Sequence, residues 1–469
     1  MPTTKPSSSP LIIMDPALAF LAAGSVWFVV GTLYGLVSAI HLVAPEFFNN
    51  IPAFVFGRSR PAHVNTVIFG FVINMLIGSG LYYVPALLKT RIWSPAMAWL
   101  SFILWNLGVL SGPVSFAFGL TQGREYTEYV WWGDMGIWLA TLLVLFNMIM
   151  TITRRREQFL YVAVWYFIGT FLWGAATYPI GNVMWRPGSG ALSGMLDSII
   201  LWFYAHNLVG LIITPLATGA AYYVIPRVTR TPLYSHTLSL IGFWTLVAFY
   251  THIGGHHIIQ APIPGWMQNI AVVHSMAMVV PVFAVLANLW LTIRGFGGRV
   301  LADPAGRLVL VGLIWYLVTC VQGPLQSTHA LQRVTHLNNW TIGHSHIAVL
   351  GFGGFIALGG MWHVLPLIVR RRIFSMKLIN LQFGLLMTGL IGFFVVLTIA
   401  GLIQGQAWYN GEVVYRTLPE MPPYMGLRAA FGISIIAASL IGLYNFLMTV
   451  VAGEPYSPEY IVNPEVGIL

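Results

Sequence analysis

Six histidines are the residues through which this sequence could do chemistry. His256 and His257 are adjacent near the end of a long apolar segment. His344 and His346 flank a serine in Gly-His-Ser-His, and His63 and His206 stand singly in other apolar segments. An ionisable side chain within a membrane segment costs free energy unless something there binds it, and imidazole is the commonest side-chain metal ligand. A chain that gathers imidazoles in apolar segments while avoiding acids reads as a scaffold for metals.

The elements that must position these rings follow from composition. The chain has 469 residues, 57% hydrophobic and only 7% charged. Soluble domains carry about 25% charged residues, so this composition belongs to an integral membrane protein. The single cysteine, Cys320, excludes an internal disulfide and any CxxCH site for covalent haem. Apolar segments predict twelve helices, near 16–44, 62–88, 95–118, 131–153, 158–178, 194–224, 235–258, 266–293, 307–331, 339–369, 378–404 and 428–451. No convincing short repeat and no linker divides them. Backbone polar groups in lipid must be satisfied internally, so the expected fold is all-α: one twelve-transmembrane-helix bundle over 16–451. A disordered cytoplasmic tail over 1–15 and a C-terminal tail over 452–469 complete the expected organisation. Met1 to Pro10 lacks the basic-then-apolar order of a cleaved signal.

Net charge is +9, yet the cations are not placed for nucleic acid. They fill alternate loops: Lys89 and Arg91; Arg154 to Arg156; Arg227 and Arg230; Arg294, Arg299 and Arg307; Arg370 to Arg372 with Lys377. The opposite loops hold most of the acids. The positive-inside rule then places both termini in the cytoplasm of a multi-pass cell-membrane protein.

That topology turns the histidines into a geometry. Helices two and ten start at the outer face with His63, His344 and His346 near their beginnings; helix seven runs outward and ends at His256 and His257. His206 lies about 18 Å below the start of helix six. All six therefore fall in the outer half of the bilayer. Residues two apart point about 200° apart on a helix, so His344 and His346 cannot share a metal but can each serve a haem on one flank of helix ten. His256, His257 and His206 can together hold one ion. The bland alternative, a hydrogen-bonded core histidine, suits any one ring but not six at these depths. His41, His236, His252, His274, His329 and His363 are expected to be interfacial or structural.

As a set these segments resemble the catalytic subunit of haem–copper oxidases, specifically the C-family or cbb3-type. The resemblance runs from Arg58-Ser-Arg-Pro-Ala-His63-Val-Asn and Tyr204-Ala-His206-Asn-Leu-Val-Gly210. It continues through Tyr250-Thr-His-Ile-Gly-Gly-His256-His257 to Trp340-Thr-Ile-Gly-His344-Ser-His346. It implies His63 and His346 as axial ligands of a low-spin haem b, His344 as the ligand of a high-spin haem b, and His206, His256 and His257 as ligands of the copper called CuB. Two imidazoles saturate a haem iron for electron transfer, whereas one leaves a face open for a gas. Three neutral imidazoles without a carboxylate suit copper better than non-haem iron.

The resemblance also implies that Tyr250 is catalytic, supplies the fourth electron for O2, and is cross-linked to His206. Other oxidase families place their tyrosine one turn after the first copper histidine, where this chain has Gly210. Tyr222, Tyr223, Ser239 and Asn288 match a single proton path from the cytoplasm. Arg58, Arg333 and His336 are expected to meet haem propionates. One departure stands out: Gln322-Gly323-Pro324 replaces the usual Glu-Gly-Pro, and a glutamine cannot carry a proton as a carboxyl group does.

The implied activity is that of a proton-translocating cytochrome c oxidase. O2 would be reduced with electrons from c-type cytochrome subunits or cytochrome c, in a bacterial or archaeal inner membrane among lipids, without nucleic acid. A nitric oxide reductase would favour non-haem iron backed by glutamates, and a twelve-helix transporter would place acids near the midplane.

Overall fold

The computed structural model describes residues 15–48 and 50–456. The tails expected at 1–15 and 452–469 therefore lie almost entirely outside the described residues. Among the described residues there are helices and no strand, apart from an isolated bridge between Arg371 and Pro455.

Among the described residues, ten helices are long and apolar enough to cross a membrane. These are α1 (Pro16–His41), α2 (Phe56–Leu87), α3 (Pro95–Ala117), α4 (Trp131–Thr153), α6 (Met195–Thr229), α8 (Gly265–Ile293), α9 (Pro304–Gln326), α10 (Asn339–Val369), α11 (Met376–Tyr409) and α12 (Pro422–Ala452). Between them lie α5 (Val162–Gly181) and α7 (His236–Tyr250), which do not meet that measure. Length and apolarity thus support ten of the twelve expected spans.

Helix starts follow local chemistry. Asp15 accepts from the Ala17 N–H at 2.7 Å ahead of Pro16, and Asp303 accepts from Gly306 at 2.8 Å ahead of Pro304. Both pairs combine an N-cap acceptor with proline at the first helical position. Two starts differ from expectation. The second helix begins at Phe56, not near 62, and the last begins at Pro422, not near 428.

A threefold pattern organises the bundle. Ser94, Ser235 and Ser375 cap α3, α7 and α11, each accepting from the N–H three residues on. Each serine is tied through its backbone to an asparagine on the following helix of its pair. Ser94 donates its N–H to Asn147 Oδ1 at 3.0 Å and accepts from Asn147 Nδ2 at 2.8 Å. Ser235 does so with Asn288 at 2.9 and 2.8 Å, and Ser375 with Asn445 at 3.1 and 3.0 Å. One turn beyond each asparagine, Thr151, Thr292 and Thr449 accept the N–H of Trp93, Tyr234 and Phe374.

The three inner helices repeat as well. Windows of α2, α6 and α10 are 89%, 94% and 78% buried, against 33–50% for the other spans, so these three form the centre and pack on one another. Each contains a π-helical stretch: Thr66–Ile73, Leu208–Ile213 and Ile347–Gly354. Each of these follows directly on a segment bearing the singled-out histidines, and π-turns inside α-helices frequently mark functional positions.

Candidate metal centres

Helices α2 and α10 bring His63 and His346 face to face. Both lie seven residues into their helices, about 10 Å along the axis from the N-terminal ends. Their ring centroids are 6.2 Å apart and their planes 20° from parallel. His63 Nδ1 donates to the Gly31 carbonyl at 2.8 Å and His346 Nδ1 to the Ile342 carbonyl at 2.7 Å. A carbonyl can only accept, so both imidazoles carry their proton on Nδ1 and keep the Nε2 lone pair for a metal.

A separation near 6 Å is about the span of two imidazoles on opposite sides of one metal with bonds of about 2.0 Å. The rings line a cavity shared with Phe28, Gly35, Phe393 and Arg428. At Gly35 a Cβ would come within 2.8 Å of His63 Nδ1, so the glycine makes room for the ring.

The second cluster joins α6 to the end of α7. Helix α7 stops at Tyr250, and His256 and His257 sit on a 3-10 turn, Ile253–Ile258, rather than on the helix as expected. Ligand nitrogens of His206, His256 and His257 all lie within 4.8 Å of one another, with no carboxylate in the set. His206 Nδ1 and His257 Nε2 are 2.8 Å apart, about the distance between two donors bound at a right angle to one metal at about 2.0 Å. Trp202 stacks on His257 at 3.9 Å and 13°.

Tyr250 stacks on His206, with centroids 4.9 Å apart and planes at 12°. The reason for Gly210 is now visible. A Cβ there would run into the Cε1 and Cζ atoms of Tyr250. The phenol reaches from α7 into the space that a side chain one turn after His206 would fill.

His344 faces the other flank of α10. It stacks on Trp340 at 5.7 Å and 9°, and its Nδ1 donates to Gln322 Oε1 at 3.1 Å. It is the electrostatic neighbour of His206, His256 and His257, while His346 packs on Phe393 at 4.4 Å. The opposite-flank expectation for the His-x-His pair agrees with these contacts.

The remaining site residues divide. Asn288 Nδ2 donates to Ser239 Oγ at 3.0 Å, and the Tyr222 phenol neighbours both. Tyr223 stacks on Tyr83 at 5.1 Å. Tyr316, which sequence reasoning missed, lies beside Cys320 one turn along α9 and is the electrostatic neighbour of Tyr222 and Tyr250. Arg58 donates to the Ala117 carbonyl at 2.8 Å. Arg333 and His336 lie in the connection between α9 and α10, where His336 Nδ1 meets Gln260 Oε1 at 3.3 Å. Burial holds the His336 imidazole below its usual range, so it offers a hydrogen bond rather than a charge near neutral pH.

Arg428 was also missed. It lines the His63–His346 cavity with its guanidinium over Phe393 at 5.4 Å, and its Nε is buried without a partner. A helix start near 428 would have put this arginine at the interface; the true start at Pro422 carries it into the span.

Comparison with known proteins agrees with this arrangement. A family model described as cytochrome c and quinol oxidase polypeptide I matches residues 15–434. A cytochrome c oxidase subunit 1 homolog of Agrobacterium tumefaciens is 32% identical over 443 residues, covering 91% of this chain and 82% of that protein. The cbb3-type cytochrome c oxidase subunit CcoN1 of Stutzerimonas stutzeri is 30% identical over 446 residues, covering 92% and 93%. A solved haem–copper terminal oxidase dimer shares the fold, with a TM-score of 0.75 at 17% identity over 94% of this chain and 85% of that one. A membrane bundle with six converging histidines, matched along nearly its whole length by these oxidases, belongs to the haem–copper oxidase subunit I family.

Proposed function

We propose that this chain is the catalytic subunit of a cbb3-type terminal oxidase that reduces O2 to water with electrons from a c-type cytochrome. The observation that carries the proposal is the Tyr250 ring stacked on His206 beside His256 and His257, in space that Gly210 leaves free. Oxygen reduction needs four electrons, and a phenol next to the metal ligands can give one.

The residues fit the cofactors that the family implies. His63 and His346 would hold a low-spin haem b, His344 a high-spin haem b, and His206, His256 and His257 the CuB copper. When bound, the haems and copper supply the electron storage and the gas-binding position that the side chains lack. The protein does the rest. Backbone carbonyls fix the tautomers of His63 and His346, and Gln322 does so for His344. The His63–His346 cavity is walled largely by apolar side chains, among them Phe28, Phe71 and Phe393.

Protons would enter from the cytoplasmic side past Ser239, Asn288 and Tyr222, and reach Tyr250 by way of Tyr316. Tyr223 would belong to the mouth of this path. Arg58, Arg333, His336 and Arg428 would face the haem edges. In this arrangement α5, about 30 Å long, and α7 with its 3-10 extension also cross the membrane. That gives twelve spans with both termini cytoplasmic. The chain has no CxxCH site, so c-type cytochrome subunits would dock on the outer face and deliver electrons. Outside electrons meeting inside protons generate a membrane potential.

Turnover of the purified complex with O2 and with NO, alongside metal analysis, tests the proposal. Oxygen consumption with copper present supports it. Non-haem iron with NO turnover alone would favour a nitric oxide reductase.

A further inference from the structure

We infer that Ser275 and Gln332 are positioning residues that brace the copper ligand His256 from two sides. The inference rests on the reading of His206, His256 and His257 as a copper site and adds what holds that site in shape.

The need arises from the backbone. His256 and His257 project from a 3-10 turn after α7 has ended, where the hydrogen-bond geometry is poorer than in an α-helix. Contacts from other elements must therefore fix the rings. Ser275 on α8 provides one. Its Oγ donates to the Ala271 carbonyl at 2.6 Å and lies 2.8 Å from His256 Nδ1. A hydroxyl has one proton to give, and here it is given to Ala271. Ser275 is consequently the acceptor of an Nδ1–H from His256, which leaves the Nε2 lone pair for the metal.

A serine bonded back to the carbonyl four residues earlier is ordinary in membrane helices. What is not ordinary is the second bond, from an imidazole in a three-histidine cluster, at a serine only 2% exposed. Gln332 provides the other contact. It sits on the short helix His329–Thr335, is buried, and donates its Nε2–H to the His256 backbone carbonyl. One residue fixes the proton of the ring, the other fixes the chain that bears it.

Loss of an outer partner of a metal-bound histidine typically costs 10–100-fold in metal affinity. The test compares the purified oxidase complex with Ser275→Ala, Ser275→Thr and Gln332→Met variants. Each is titrated with a copper(I) chelator, and retained copper per haem is read together with the copper X-ray absorption spectrum. Ser275→Ala and Gln332→Met should release copper at about 10- to 100-fold lower chelator concentration, with fewer imidazoles in the absorption spectrum. Ser275→Thr, which keeps the hydroxyl, should match the unmodified complex. Haem bands from the His63–His346 centre should be unchanged throughout.

Copper held as tightly by Ser275→Ala and Gln332→Met as by the unmodified complex would overturn the inference and leave the copper reading intact. An unmodified complex without copper would overturn both. Should Ser275→Ala not assemble, Gln332→Met decides by the same criteria.

Discussion

Replacing Gly210 with alanine tests the link between the glycine and the phenol. The ring of Tyr250 occupies the space a Cβ at 210 would need, with Cε1 and Cζ as the atoms it would meet. These are rigid ring atoms rather than the end of a flexible chain. Restoring ordinary contact, about 3.5–4 Å between carbons, requires the ring to retreat by more than about 1 Å. Overpacking of this kind costs about 1–3 kcal/mol, which a large helical bundle can absorb, so the complex should still form and bind its haems. Activity should be less forgiving. A 1 Å misplacement of a reacting group can cost about 100-fold in rate, and here the displaced group is the one stacked on His206. Steady-state O2 consumption by Gly210→Ala should fall about 100-fold, towards that of Tyr250→Phe, at unchanged haem content. Near-normal turnover with normal haem spectra would refute the account of why residue 210 is glycine.

Four further outcomes follow from other contacts. Gln322→Glu puts a charged acceptor on His344 Nδ1; charge-assisted bonds are about twice as strong as neutral ones. The high-spin haem potential should therefore drop by about 60 mV for each 1.4 kcal/mol gained, read by spectroelectrochemical titration; an unchanged potential would mean that residue 322 does not contact the ligand. Arg428→Met removes a cation from the His63–His346 cavity, so the low-spin haem potential should fall by tens of millivolts while Arg428→Lys falls less. Asn147→Ala, Asn288→Ala and Asn445→Ala should lower thermal stability alike, since all three tie a helix start. Ser239→Ala, by contrast, should slow turnover with little loss of stability, because α3 and α11 carry Ala98 and Ile379 at the matching position. Equal turnover of Ser239→Ala and the parent would remove Ser239 from the proton path.

Much of the site was legible because intramembrane imidazoles are expensive and therefore informative. The His-x-His spacing placed the two rings on opposite flanks of α10, and the family resemblance, with glycine at 210, implied a tyrosine arriving from elsewhere. The parts that escaped share a cause: they depend on partners distant in the chain. The threefold Ser–Asn ties leave no local period, since they join a serine's backbone on one helix to an asparagine on another. The same pattern shows Asn288 to be a structural tie in its own right, with only its bond to Ser239 peculiar to the middle copy. Helix starts misled in two places. Arg58 and Arg60 hid the start of α2, yet Arg60 pairs with Glu125 and is carried inside the helix. Met421 to Leu427 hid the start of α12 and with it the depth of Arg428. Ser275 gave no signal at all, because one serine in an apolar helix is commonplace.

Haem and metal quantification on the purified complex tests the central claim most directly. The account predicts two b-type haems and one copper per chain, with a reduced spectrum showing one low-spin and one high-spin haem. A single haem, or iron in place of copper at the three-histidine cluster, would contradict it.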